Sequence, residues 1–122
     1  MLEHLSIQCR DLDAAKAFYD AVVTAIGGWR IMDFGDVVGY GIHRPDFWIG
    51  PLTTTQEFRE VHVAFAAPDR ASVHAFFDAA VGAGAEVLHH PRVWPEYHPS
   101  YYGGFVRDPD GNNVEAVSHR PE

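Results

Sequence analysis

The chain contains an internal repeat, and this repeat restricts its fold more than any other feature of the sequence. The two copies are offset by 58 positions, the difference between residues 62 and 4. The matched positions are a histidine, an aspartate and a five-residue run: His4 with His62, Asp11 with Asp69, and Ala17-Phe18-Tyr19-Asp20-Ala21 with Ala75-Phe76-Phe77-Asp78-Ala79. Self-similarity at this separation indicates two copies of one structural unit.

Each copy begins with an alternating strand that is followed by an amphipathic helix. Polar and apolar residues alternate over 4–10 and again over 59–65, as is typical of a half-buried strand. Asp11 and Asp69 are suited to cap the helices that follow, and glycines mark the helix ends. Three short strands follow each helix. We therefore predict a single domain over residues 1–122, with one module at about 1–52 and the second at about 57–120.

The end of the second module carries a turn and a proline-rich loop. Asp108-Pro109-Asp110-Gly111 has the residues that a type I turn prefers, and it leads into a last strand at 111–117. Strands are predicted near 85–89 and 101–107, with a loop at 90–99 between them that contains three prolines. Loops of this length often serve as a pocket wall.

Three polar side chains share the strand faces that point away from the helices. By alternation these are His4, His62 and Glu115. A carboxylate in the middle of a strand is costly unless it is solvated, paired or bound to metal. Two imidazoles and a carboxylate can occupy one face of an octahedron, which suits Fe(II) and is accessible to Mn(II), Ni(II) or Zn(II). The alternative is that the histidines line a polar cleft and that Glu115 is solvated.

Further candidates surround these three side chains. Tyr101, His98 and Ser6 are candidates for proton transfer or for binding an oxyanion. Substrate contacts are predicted for four aromatic residues: Trp48, Trp94, Tyr97 and Tyr102. Because Tyr101 and Tyr102 are adjacent in a strand, at most one of them reaches the cleft. Packing is the alternative role for each of these residues.

Charge and composition exclude several classes of partner. The formal charge is −8, and Lys16 is the only lysine, so neither nucleic acid nor an anionic membrane surface is an expected partner. No apolar run approaches the roughly 20 residues that span a bilayer. Cys9 is the only cysteine, which excludes an intrachain disulfide and fits a cytoplasmic setting. Its position on an apolar strand face predicts a buried thiol.

Three segments resemble the vicinal oxygen chelate superfamily, which includes glyoxalases, bleomycin-resistance proteins, fosfomycin-resistance thiol transferases and extradiol dioxygenases. They are Glu3-His4-Leu5, Val61-His62-Val63-Ala64-Phe65, and the run from Phe105 to Glu115 that contains the predicted turn. The resemblance implies an α+β fold of two βαβββ modules whose curved mixed sheets surround a metal-binding cleft. It also implies a divalent metal on His4, His62 and Glu115, and a homodimer in which the cleft is formed within one chain or across two.

The chain departs from the metal-dependent glyoxalases at one position. Those enzymes have a fourth ligand, a glutamate on the last strand of the first module, and Trp48 is its nearest equivalent here. The expected function is a divalent-metal-dependent enzyme whose small oxygenated substrate chelates the metal, acting by isomerisation, thiol addition or oxygenation. The alternative is a metal-free binding protein, similar to the bleomycin-resistance proteins, that sequesters a small molecule.

Overall fold

The computed structural model describes all 122 residues and contains eight strands and two helices. The first module consists of β1 (Leu5–Cys9), α1 (Leu12–Ala25), β2 (Trp29–Asp33), β3 (Val38–Gly41) and β4 (Phe47–Pro51). The second consists of β5 (His62–Ala66), α2 (Arg70–Gly82), β6 (Val87–Val93), β7 (Tyr102–Arg107) and β8 (Asn113–Ser118). The order of elements confirms the predicted α+β architecture of two strand–helix–three-strand modules.

Each module forms one four-stranded mixed sheet, and the two sheets have the same topology. The strand orders are β1-β4-β3-β2 and β5-β8-β7-β6. The first strand of each module runs parallel to the last, and the remaining pairs are antiparallel. Consequently β1 and β5 are edge strands, and the sheets do not close into a barrel.

The helices begin where the sequence predicts, and they join the modules. Asp11 Oδ1 accepts a hydrogen bond from the Ala14 amide at 3.1 Å, and Asp69 Oδ1 accepts one from the Ser72 amide at 2.8 Å. The two helices pack against each other. One continuous hydrophobic core therefore spans both modules. Its aromatic members include Phe47 and Phe65, whose ring centroids are 5.0 Å apart.

The turn before β8 fastens the second module to the first. The Gly111 amide donates to the Asp108 carbonyl at 3.0 Å, and Gly111 has φ +92°, a conformation that favours glycine. Asp108 is buried, and its Oδ2 accepts from the Tyr19 hydroxyl of α1 at 2.6 Å. Asp110 Oδ1 accepts from the Arg10 amide, which follows β1, at 2.9 Å. The turn thus has a structural role in addition to reversing the chain.

The predicted loop at 90–99 begins too early, because β6 continues to Val93. Pro91 lies inside this strand, where its missing N–H would break a ladder in the middle of a sheet. The structure tolerates it because β6 is an edge strand and its pairing with β7 shifts register between His89 and Arg92. The irregular segment is therefore 94–101.

Candidate functional site

A buried carboxylate lies at the centre of the second sheet. Glu115 on β8 is only 1% exposed. One of its oxygens, Oε2, is 2.9 Å from His62 Nε2 on β5, and the other, Oε1, accepts a hydrogen bond from the Tyr101 hydroxyl. The His62 side chain itself is 53% exposed, so it is the solvent-facing member of the group. Burial, and then the neighbouring Glu115, raise the pKa of Tyr101 above its usual value.

A glycine on the neighbouring strand makes room for this group. A Cβ at Gly103 would lie 3.0 Å from Glu115 Oε1 and 3.3 Å from the Tyr101 ring. Any side chain at this position would therefore push against the carboxylate or the phenol. Gly103 could not be predicted from the sequence, because a glycine inside a strand has no signal that distinguishes close approach from a bulge.

Aromatic side chains form a wall beside the carboxylate. Trp94 is buried, its ring centroid is 5.1 Å from that of Phe105, and its indole N–H donates to the Gly103 carbonyl at 2.9 Å. The Tyr97 ring lies 4.8 Å from the Tyr101 ring, and 61% of the Tyr97 residue is exposed. Trp94 is thus a fixed part of the wall, whereas Tyr97 is accessible to a ligand.

The structure brings two of the three predicted metal ligands together. His62 and Glu115 are in contact, whereas His4 bonds to the adjacent Glu3 through Nδ1. His4 and His62 do line one open cleft, which runs between the N-terminal ends of β1 and β5. No group of three His, Cys, Asp or Glu side chains is close enough to hold a metal ion.

The three predicted ligands are of suitable types for a divalent ion, but in this structure they do not form a complete metal-binding site. Imidazole and carboxylate are suitable ligands for the ions considered above, and His62 and Glu115 are already adjacent. Both oxygens of Glu115 are occupied by hydrogen bonds, however, and His4 is engaged elsewhere. Binding of an ion by all three side chains would therefore require two changes. Tyr101 must break its hydrogen bond to Glu115 Oε1, and His4 must break its contact with Glu3.

Three other predicted residues lie apart from the Glu115 carboxylate. Tyr102 faces α2, where its hydroxyl is 2.6 Å from His74 Nε2. His98 bonds to His119 rather than to the carboxylate. Ser6 lines a separate cleft beside β1 and makes no side-chain hydrogen bond within the chain.

Trp48 lies on the first sheet. Its indole ring covers Gly39 of the adjacent strand β3, where a Cβ would approach the ring to 2.9 Å. The Phe34 ring is parallel to it within 3°, at a centroid distance of 6.2 Å. Trp48 thus forms an aromatic surface on the first module.

The comparisons with solved structures agree with this fold. A glyoxalase/bleomycin resistance protein from Albidiferax ferrireducens is 25% identical, with TM-score 0.82, over 94% of this chain and 96% of that chain. A lactoylglutathione lyase from Agrobacterium tumefaciens is 24% identical, with TM-score 0.69, over 97% and 92%. The fosfomycin resistance protein FosX from Mesorhizobium loti is 17% identical, with TM-score 0.68, over 97% and 91%. The last two likenesses show the fold alone.

Neither helix is long and apolar enough to cross a membrane.

No curated protein sequence matches the chain significantly. The family model for the glyoxalase-like domain matches residues 4–117, which includes both modules and the Glu115 strand. On this match, with the fold described above, the chain belongs to the glyoxalase-like domain family of the vicinal oxygen chelate superfamily.

Proposed function

We propose that this chain is an enzyme that moves a proton on a small oxygenated molecule, with His62 as the acid–base group. The observation that carries the proposal is the pairing of His62 with Glu115. One end of this pair is almost completely buried, and the other is half exposed in the cleft. An imidazole held by a buried carboxylate is a recurrent arrangement for proton transfer, because the carboxylate orients the ring and stabilises its charged form.

The hydrogen bonds assign the roles within this pair. An ionised carboxylate only accepts hydrogen bonds, so Nε2 of His62 carries the proton that points to Glu115. The other ring nitrogen, Nδ1, is then free to accept a proton, and it has no hydrogen-bond partner within the chain. In this proposal His62 touches the substrate, and Glu115 and Tyr101 are positioning residues behind it.

A divalent ion gives an alternative form of the proposal, in which His62 is a metal ligand and not the acid–base group. The ion would be held by His62 and Glu115, with His4 as the third ligand, and it would polarise a substrate carbonyl or hydroxyl and stabilise the charge that develops there. The support is the donor chemistry, the contact between the first two residues, and the cleft that His4 and His62 share.

Proton transfer can be tested before the substrate is known. The protein would be incubated in D2O with a panel of small α-hydroxy and α-keto carbonyl compounds, and with lactoylglutathione because of the structural neighbour of that name. We expect loss of a carbon-bound proton signal for at least one compound, and a drop of about 100-fold or more in His62→Gln. His43→Gln is the matched control, because His43 is exposed and makes no hydrogen bond. Equal rates in His62→Gln and the parent protein would overturn the proposal.

Metal analysis decides between the divalent ion and the acid–base pair. Protein purified without a histidine tag or chelators should retain close to one ion per chain, and His62→Ala, Glu115→Gln and His4→Ala should each lose it. Proton exchange in metal-free protein, with no gain when Mn²⁺, Ni²⁺, Fe²⁺ or Zn²⁺ is added, would reject the metal and retain the acid–base pair.

A second candidate is a binding protein that sequesters a small molecule without reaction. The aromatic wall and the Trp48–Phe34 surface favour it, since aromatic residues commonly line ligand pockets. Saturable binding of a compound that stays chemically unchanged, together with full binding in Glu115→Gln, would support this candidate over the enzyme.

We also propose that the chain forms a homodimer. β1 and β5 leave one edge of each sheet unpaired, and several large apolar residues, among them Trp29 and Phe34, are more than half exposed. Such surfaces are often covered in an assembly. Measurement of the mass in solution by light scattering tests this; a monomer at micromolar concentration would reject it.

A further inference from the structure

Two histidines outside the His62–Glu115 pair connect the aromatic loop to the C-terminal segment. His98 lies in the loop at 94–101, and His119 follows β8. His98 Nε2 is 2.7 Å from His119 Nδ1, and both side chains are near the surface. The other nitrogen of His98, Nδ1, is 3.0 Å from the Ser100 amide.

These contacts admit a single arrangement of protons. The Ser100 amide is a donor, so Nδ1 of His98 must accept and carries no proton. A neutral His98 then carries its proton on Nε2 and donates it to Nδ1 of His119. His119 in turn carries its own proton on Nε2. Both rings are therefore neutral in the observed structure.

The network has no position for an additional proton. A proton on Nδ1 of His119 would oppose the N–H of His98, and a proton on Nδ1 of His98 would oppose the Ser100 amide. Protonation of either ring at these atoms therefore breaks a hydrogen bond of the network. Histidine is the side chain that gains charge between about pH 5 and 8.

The histidine pair supports Tyr101, whose ring is in contact with both imidazoles. The centroid of the Tyr101 ring is 5.5 Å from that of His98 and 5.2 Å from that of His119, both edge to face. The Tyr101 amide also donates to the His98 carbonyl at 3.2 Å. The phenol of Tyr101 in turn bonds to Glu115. The histidine pair thus lies directly behind the residue that covers one oxygen of the buried carboxylate.

We propose that the hydrogen bond between His98 and His119 positions Tyr101 over Glu115 while both rings are neutral, and releases it when one ring is protonated. Both histidines are thereby positioning residues for the proposed reaction, on which this inference rests. Release would uncover Oε1 of Glu115 for a substrate or an ion at slightly acidic pH.

Other titratable groups near the pair are already engaged. From the loop, the Tyr101 ring faces the pair, the Tyr97 ring packs on Tyr101, and Glu96 is paired with Arg92 at 3.1 Å. On β8, the Glu115 carboxylate is linked to the pair through the hydroxyl of Tyr101. Its other oxygen is paired with His62. From the C-terminal segment, the charged neighbour of His119 is Arg120, which interacts with Asp69. Of the side chains that gain charge between about pH 5 and 8, those in contact with the Tyr101 ring are therefore the two imidazoles.

Nitrogen NMR of the imidazoles tests the proton assignment without any substrate. At about pH 7.5 the hydrogen bonds predict the Nε2–H tautomer for both His98 and His119. A different tautomer for His98 would overturn the inference directly. Because this readout needs no turnover, its failure is distinct from the absence of proton transfer on substrates.

Amide hydrogen exchange tests the release. On going from about pH 7.5 to about pH 5.5, exchange of the Ser100 and Tyr101 amides should accelerate by roughly fivefold or more after correction for the chemical rate, as expected for the loss of one hydrogen bond. In the double variant His98→Asn/His119→Asn, the two Asn side-chain oxygens replace both Nδ1 acceptors and neither side chain titrates, so this acceleration should disappear. His43→Asn, at an exposed unpaired histidine, should retain it. Unchanged protection in the parent protein, or the same acceleration in the double variant, would overturn the proposal.

Discussion

Trp48 and Glu115 occupy equivalent positions in the two sheets. Trp48 on β4 is opposite Ser6 of β1, and Glu115 on β8 is opposite Ala64 of β5. Ser6 and Ala64 are separated by the same 58 positions as the repeated histidines. The two modules therefore present different chemistry at one equivalent position, an indole in the first and a carboxylate in the second. The repeat preserved the backbone, and the acid–base chemistry proposed here lies in the second module.

Removal of the Tyr101 hydroxyl should destabilise the protein in a pH-dependent way. Tyr101→Phe leaves the buried Glu115 with one donor fewer, which should lower the free energy of unfolding by about 2 kcal/mol near neutral pH. The pKa of Tyr101 is raised in the folded protein by burial and then by Glu115. Because the pKa of Tyr101 is higher in the folded than in the unfolded state, the hydroxyl contributes its full stabilisation below about pH 10. This stabilisation declines at higher pH.

Urea unfolding of Tyr101→Phe and the parent protein at about pH 8 and pH 11 checks this sign. The difference in the free energy of unfolding between the two proteins should be smaller at the higher pH. A difference that widens would contradict the assigned contact.

Gly103→Ala should disturb the Glu115 carboxylate. The new Cβ would lie 3.0 Å from Oε1, so the carboxylate or the Tyr101 ring must move, at a cost of about 1–3 kcal/mol in unfolding free energy. The rate of proton exchange on the substrate should fall as well. Gly82→Ala in α2 is the control, because a Cβ there meets no atom within 4 Å. Equal stability and activity in both variants would show that the space beside Glu115 is not restrictive.

The contact between Tyr19 and Asp108 should contribute to the stability of the whole fold. Tyr19→Phe removes a donor from a buried carboxylate that links α1 to the turn before β8, and we expect a loss of about 2 kcal/mol in chemical denaturation. The control is Tyr40→Phe, whose hydroxyl donates to Asp20 at 2.8 Å. The Asp20 side chain is 45% exposed and is also bound by Arg30, so this loss should be smaller. A larger loss of stability in Tyr40→Phe than in Tyr19→Phe would argue against Asp108 as a link between the modules.

The Cys9 thiol should be unreactive in the folded protein. Cys9 is 1% exposed, and burial, followed by the nearby Asp110 and Asp108, raises its pKa to about 12. Because the thiolate is the reactive form, a thiol reagent at neutral pH should modify Cys9 only as fast as the chain unfolds. The same reagent should react at once in denaturant. Rapid modification of the native protein would contradict the burial.

The sequence by itself determined the modules, the helix starts, the turn at Asp108 and the shared strand face of His62 and Glu115. These features depend on repeats, caps and the alternation of side chains, which are local properties of the backbone. Only the tertiary structure decided that Tyr101 covers Glu115 and that β6 continues through Pro91. It also decided that His98 pairs with His119 while His4 remains beside Glu3. Such pairings depend on how a loop or chain end packs against another element, and no periodic pattern in the sequence encodes that packing.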